Sequence, residues 1–200
     1  MKIVPYAESA FSEVVALWDA CGLSVPYNDP AQDIALVQAS ANASLFLGYR
    51  GDRLIGTIMT DMLDLKPEDT VLEVGTGLGY QSAVLAELAK TVCTVEIIEE
   101  LAAEARKRLT RLGYKNIEYK VGDGSVGWMQ RAPFDKIIVT AAPDLIPASL
   151  LTQLKPNGRM IIPAGIEDAQ QLLLVEKDPA GRTRTKELIP VRFSTLVTSN

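Results

Sequence analysis

From about residue 70 onward the spacing of apolar positions switches repeatedly between two periods. "TVLEV" (70–74) is a short β-branched run and predicts a strand. The segment 80–90, with Ala83, Leu85, Leu88 and Ala89 near helical spacing, predicts a helix. A second strand follows at 91–97. Residues 98–113 predict an amphipathic helix with acids first, bases last and Gly113 as its stop, the polarity that the helix dipole and C-capping favour. The third strand covers 117–123. "FDKIIVTAA" (134–142) is almost wholly apolar after Lys136, as suits a central parallel strand covered on both faces. A helix at 147–155 opens on a proline. A turn at Asn157-Gly158 leads to a strand over 159–165, and 170–178 with 183–193 predict an antiparallel hairpin. This alternation predicts an α/β fold built on a doubly wound sheet.

The first sixty residues follow another rule. "KIVPY" predicts a strand, 9–22 an amphipathic helix ended by Gly22, and 28–40 a helix opened by Asn28, Asp29 and Pro30. Segments 44–50 and 53–59 flank Gly51-Asp52 as an antiparallel hairpin. The change in element order near residue 59 divides the chain into a small α+β module, 1–58, and a larger domain, 59–200. The strand at 53–59 is apolar apart from Arg53, so its edge is open to pairing. Docking on the larger domain or pairing with a second copy, as in a homodimer, would cover it.

Composition narrows the functions. Of 200 residues 48% are hydrophobic, enough for a proper core, and the net charge of −5 argues against non-specific binding to nucleic acid or anionic membrane. The chain has no histidine, which excludes Ser-His-Asp and Cys-His catalysis and argues against a zinc site; no metal is expected. Cys21 and Cys93 lack metal-like spacing and read as thiols of a reducing compartment. The N-terminus has no apolar signal core and no window is long enough to span a bilayer. The expectation is a cytoplasmic protein with no nucleic-acid or membrane partner.

The candidate chemistry centres on "VLEVGTGLGYQ" (71–81), where Gly75, Gly77 and Gly79 join the first strand of the larger domain to a helix. Open α/β sheets bind ligands at such strand ends. A dinucleotide fingerprint would place its third glycine where Tyr80 stands, which disfavours a nicotinamide loop. Glu96, at the end of the second strand, can accept from ribose hydroxyls, and Asp123, at the end of the third, from an adenine amine. With Glu73 under the loop, three carboxylates would repel a pyrophosphate but not a sulfonium with a free amino group. S-adenosyl-L-methionine fits this set better than a dinucleotide.

"MTDMLDLKPEDTVLEVGTGLGYQ", "VGDGSVGW", "APFDKIIVTAAP" and "LLTQLKPNGRMIIPAG" make the stretch from Met59 to about Phe193 resemble the protein-L-isoaspartate O-methyltransferase family. The resemblance implies a class I S-adenosylmethionine-dependent methyltransferase fold, Rossmann-like. It implies methyl ester formation on isoaspartyl carboxylates, a protein-repair activity, with isoaspartyl-containing peptides or proteins as substrate. It places Glu73, Val74, Gly75, Thr76, Gly77, Leu78, Gly79, Tyr80, Gln81, Glu96, Ile97, Asp123 and Gly124 around the cofactor. Thr140, Ala141 and Ala142 would border the peptide. The catalytic residue is left open: a carboxylate is already ionised at neutral pH, so no general base is required and rate comes from alignment.

The likeness breaks ahead of the glycine loop. The family carries residues resembling G-H-G-Q-T-I-S-Q-P there. Counting back from Met59-Thr60 puts Gly51 at the serine, with Asp52 and Arg53 in place of glutamine and proline. Residues 1–59 instead resemble the N-terminal half of GNAT-type N-acetyltransferases, without the loop that would hold the acetyl-CoA pyrophosphate. The chain therefore reads as a chimera that does not bind acetyl-CoA. Two functions stand open: a methyltransferase with altered substrate recognition, and a cofactor-binding but catalytically silent protein whose N-terminal module serves packing or a partner.

Overall fold

The computed structural model describes residues 2–20, 31, 34–35, 46–50, 53–57, 62–166 and 169–199. The chain divides into two compact units, Met1–Asp61 and Met62–Asn200.

The smaller unit contains β1 (Lys2–Pro5), α1 (Phe11–Ala20), β2 (Phe46–Arg50) and β3 (Arg53–Thr57). A 3-10 turn at Glu8–Ala10 takes the start of the helix expected from residue 9. The strands pair antiparallel in the order β1-β2-β3, with Leu47 opposite Thr57 and Arg50 opposite Arg53, which is the expected hairpin. Val14 and Ile34 are buried here, packed by Tyr6, Ala10, Phe11 and Leu17. The helix expected over 28–40 falls largely outside the described residues, though Ala31, Ile34 and Ala35 are helical. Cys21 and the Gly51-Asp52 turn also lie outside them.

The larger unit contains β4 (Thr70–Val74), α2 (Tyr80–Leu88), β5 (Thr91–Glu96), α3 (Glu99–Arg111), β6 (Ile117–Val121), β7 (Phe134–Val139), α4 (Ala148–Gln153), β8 (Leu154–Ala164), β9 (Gln171–Lys177) and β10 (Thr183–Pro190). Its seven strands lie in the order β10-β9-β8-β7-β4-β5-β6. Strands β4 to β8 are parallel; β9 and β10 close one side as an antiparallel hairpin. The fold is mixed α/β, as the alternation predicts.

The sheet order follows from burial. Val71 to Val74 and Lys136 to Val139 are wholly buried, so β4 and β7 take the centre, where both faces are covered. Leu72, Val74, Val95, Phe134, Ile137, Val139, Met160 and Ile162 form the core. Helix α3 buries Ala102, Ala105 and Leu109, one turn apart or two, and leaves its charges outside. Cys93 is buried among these groups, and burial pushes its thiol up to about 11, so it is unreactive at neutral pH.

One element differs from expectation. Asn157 and Gly158 do not separate helix from strand; β8 runs through them from Leu154. Asn157 takes a positive φ of 63°, and the pairing with β7 shifts register between Phe134 and Lys136. The residues that would make a turn instead make a bulge.

The sheet also sets the place of the site. From β4 the chain steps outward to β5 and β6, then returns to β7 on the other side of β4. The reversal between β4 and β7 leaves a crevice at the carboxyl ends of these strands, where the glycine loop begins.

Candidate functional site

The loop after β4 turns tightly: Gly75 N–H donates to Val95 O at 2.9 Å and Gly79 N–H to Thr76 O at 2.9 Å. Its glycines serve different ends. A Cβ on Gly75 would lie 2.4 Å from Thr140 Oγ1, and one on Gly79 would lie 2.9 Å from Leu109 Cδ1 of α3, so both permit close packing. Gly77 has φ +50°, and a Cβ there would meet nothing within 4 Å. Its bare backbone faces open space, as a ligand-binding position requires. Thr140, just past β7, ties the loop to the sheet: its hydroxyl lies 2.8 Å from Gly75 O and its N–H donates to Val74 O.

The three expected carboxylates separate into three roles. Glu96, 7% exposed at the end of β5, accepts from Gly77 N–H at 2.8 Å and from Ile98 N–H at 3.0 Å. It thus fixes the loop to the start of α3. A carboxylate offers about four acceptor positions, so two remain for a hydroxyl-bearing ligand.

Glu73 is fully buried beneath the loop. Its Oε2 accepts from the Ser82 hydroxyl and from Thr94 Oγ1 at 2.6 Å, and Thr94 Oγ1 lies 2.6 Å from Thr76 Oγ1. Its Oε1 has no partner among the described residues. Burial pushes Glu73 up to about 7, against the pull of the Ser82 and Thr94 hydrogen bonds and with a push from the Glu96 charge. It braces the loop from below and does not line the cleft.

Asp123 Oδ1 accepts from Ser125 N–H, and Oδ2 from Ser199 N–H, each at 2.8 Å. Burial alone would raise this carboxyl, but those hydrogen bonds and the Lys120 charge carry it below its ordinary value.

A cleft of about 310 Å³ lies beside the loop. Of the expected residues, Val74, Gly75, Gly77, Glu96, Ile97, Gly124, Thr140 and Ala141 line it. Gly124 does so because a Cβ would strike Val74 Cγ1 at 2.4 Å. Thr76 is buried, Leu78 turns its carbonyl toward the Arg108 guanidinium, and Tyr80 and Gln81 sit half-buried at the start of α2. Ala142 is buried and both its backbone groups are taken: its N–H donates to Ser194 O and its O accepts from Leu196 N–H, each at 2.8 Å.

That last contact belongs to a wall the sequence reading omits. Ser194, Thr195, Leu196 and Val197 line the cleft opposite the loop. This strap runs beside Ala142 and is launched by Gln170, a 3% exposed amide that accepts from Phe193 N–H at 2.6 Å and donates to Phe193 O at 3.0 Å. Backbone groups hold it, so its short polar sequence shows no period. The buried Gln170 ahead of a strand was the available signal.

The model of the family Protein-L-isoaspartate(D-aspartate) O-methyltransferase (PCMT) matches residues 23–200. A Protein-L-isoaspartate O-methyltransferase 1 of Polaromonas sp. (strain JS666 / ATCC BAA-500) is 61% identical over 142 residues, which is 71% of this chain and 60% of that one. A Protein-L-isoaspartate O-methyltransferase 2 of the same organism is 51% identical over 173 residues, covering 84% of this chain and 82% of that one. The chain thus spans about 60% of the length of the first relative. A solved structure from Plasmodium falciparum, described as a protein-L-isoaspartate O-methyltransferase in complex with S-adenosyl-L-homocysteine, shares the fold at a TM-score of 0.63 and 19% identity, covering 94% of this chain and 98% of that one. The family match starts at residue 23 and runs through most of the segment read above as acyltransferase-like. The acyltransferase likeness, and the chimera built on it, gain no support from these comparisons.

Proposed function

We propose, on the premise that this chain belongs to the protein-L-isoaspartate(D-aspartate) O-methyltransferase family, that it binds S-adenosyl-L-methionine in the cleft and methylates isoaspartyl carboxylates of peptides or proteins. The observation that carries the reading is the pairing of Gly77 with Glu96. Gly77 leaves its Cβ direction open, and the carboxylate beside it keeps acceptor positions for ribose hydroxyls. Gly75, Gly124 and Thr140 shape the floor, and the strap supplies Leu196 and Val197 on the far side. When bound, the cofactor supplies an electrophilic methyl group on a sulfonium sulfur. The residues present suit it: the Glu96 carboxylate lining the cleft favours a cationic ligand over a pyrophosphate. No side chain has to remove a proton from the substrate, so the task of this chain is alignment and exclusion of water.

Thr140 and Ala141 border the cleft and are the residues we place nearest the peptide. Gly51, Asp52 and Arg53, standing where the family pattern has serine, glutamine and proline, favour the second reading, a protein that binds the cofactor without transferring its methyl group. The homodimer expected from segment 53–59 is supported by β3 standing at the edge of its sheet among the described residues. The cytoplasm is the proposed setting, where glutathione would keep Cys93 reduced. No helix among the described residues is long and apolar enough to cross a membrane.

Titration calorimetry with S-adenosyl-L-methionine tests the binding step. Saturable one-site binding that weakens in Glu96→Ala is expected. Binding unaffected by that change, or no binding, would remove the basis of the reading.

A further inference from the structure

We infer that the groove between α3 and the outer edge of β6 docks an extended, acidic peptide segment of a partner protein, added to the sheet as a further strand. Among the described residues β6 pairs with β5 alone. Val92 N–H donates to Asn116 O and Gly122 N–H to Glu96 O. In a parallel ladder that pattern turns residues 116, 118, 120 and 122 toward β5, so Tyr119 and Val121 present N–H and C=O outward.

The two edges of the sheet are treated differently. On β10, the exposed side chains of Arg184, Lys186 and Glu187, a register shift and Pro190 discourage pairing. On β6 the charges are tied back: Glu118 pairs with Arg131, and Lys120 Nζ donates to Gly127 O at 2.9 Å. Val121 is left 52% exposed.

Charge selects the occupant. The groove, about 660 Å³, is lined by Arg106, Lys107, Arg111, Tyr119 and Val121, with Glu99 at one end. None of the three cations pairs with a carboxylate among the described residues. The Arg106 guanidinium lies 5.8 Å from the centre of the Tyr119 ring, which holds it along the edge. Unpaired cations beside open strand groups fit a chain that brings carboxylates on one side and a peptide backbone on the other. A nucleic acid would meet the cations but leave the strand groups unpaired.

The test is fluorescence anisotropy on the whole chain, with a short labelled peptide that alternates glutamate with threonine and valine. Saturable binding is expected, roughly tenfold weaker in Arg106→Glu/Lys107→Glu. The same peptide with alternate amide nitrogens methylated should lose binding to the unaltered protein, which keeps the test independent of how the variant folds. Lysine in place of glutamate should also abolish it. Equal binding of the methylated or lysine peptide, no binding of the acidic one, or tighter binding of a single-stranded oligonucleotide would each overturn the inference. None of these readouts uses the cofactor, so a failure here leaves the methyltransferase reading standing.

Discussion

The cleft has two walls of opposite construction. The glycine-loop wall is held by side chains: Glu96 grips Gly77, Thr140 grips Gly75, and the buried Glu73 with Ser82 and Thr94 stands under both. The strap wall is held chiefly through its own main chain: Ser194 O and Leu196 N–H exchange hydrogen bonds with Ala142, and Ser199 N–H donates to the Asp123 carboxylate, while the Leu196 side chain packs against the core. A wall of the first kind breaks when one side chain changes. One of the second kind tolerates most side-chain changes and fails when a donor is removed or its anchor, Gln170, is lost. The contrast can be broken or sharpened by substitution on each side.

Gly77→Val should have the largest effect. It asks an L residue for φ +50° and fills the open direction with a branched side chain. Affinity for S-adenosyl-L-methionine should fall by a factor of about one hundred or more, measured by calorimetry, with the fold retained by circular dichroism.

Glu73 comes next, through pH. Its carboxyl is ordinarily at 4.5 and stands at about 7 in the folded chain. The folded state therefore holds a proton that the unfolded chain releases. This contribution is fully present below about 4.5 and is lost as pH rises through about 7. At about 1.4 kcal/mol per pH unit the loss is roughly 3 kcal/mol. Glu73→Gln keeps the shape and removes the titration. Denaturant unfolding across that window should show the variant gaining on the parent as pH rises. Parallel pH profiles would mean that the carboxyl titrates normally.

Glu96→Ala should cost about 2 kcal/mol of cofactor affinity, the worth of charge-assisted contacts. It should also loosen the loop, seen as faster amide exchange at Gly77. On the strap, Leu196→Pro removes both the donor to Ala142 and a half-buried leucine packed on the core, and should cost about 2 kcal/mol of stability. Thr195→Ala, at an exposed position, should change stability by less than about 0.5 kcal/mol. If Thr195→Ala proved the more damaging of the two, the strap would be held by side chains after all.

The same contrast explains what could be read from the chain. β4, α3 and β7 were legible because each carries its own signal: a β-branched run, a charge-polarised amphipathic face, and an apolar stretch long enough for a central strand. Gly77 and Glu96 meet at the cleft because the sequence sets them at or just past the ends of adjacent parallel strands. Glu73 and Asp123 were found as residues but not as roles. Whether a carboxylate faces the cleft, the interior or a backbone N–H depends on partners such as Ser82 and Ser199, which no local pattern links to it. Asn157-Gly158 predicts a turn from its residue types alone; only the pairing of β8 with β7 makes it a bulge. The strap had no signal in its own side chains.

Methyl transfer itself is the most direct test. The whole chain would be incubated with S-adenosyl-L-methionine labelled in its methyl group and with an isoaspartyl peptide, its aspartyl isomer serving as control. A base-labile methyl ester is expected on the isoaspartyl peptide alone, and none with Gly77→Val. No ester on either peptide, from a chain that binds the cofactor by calorimetry, would contradict it and leave the silent cofactor-binding protein in its place.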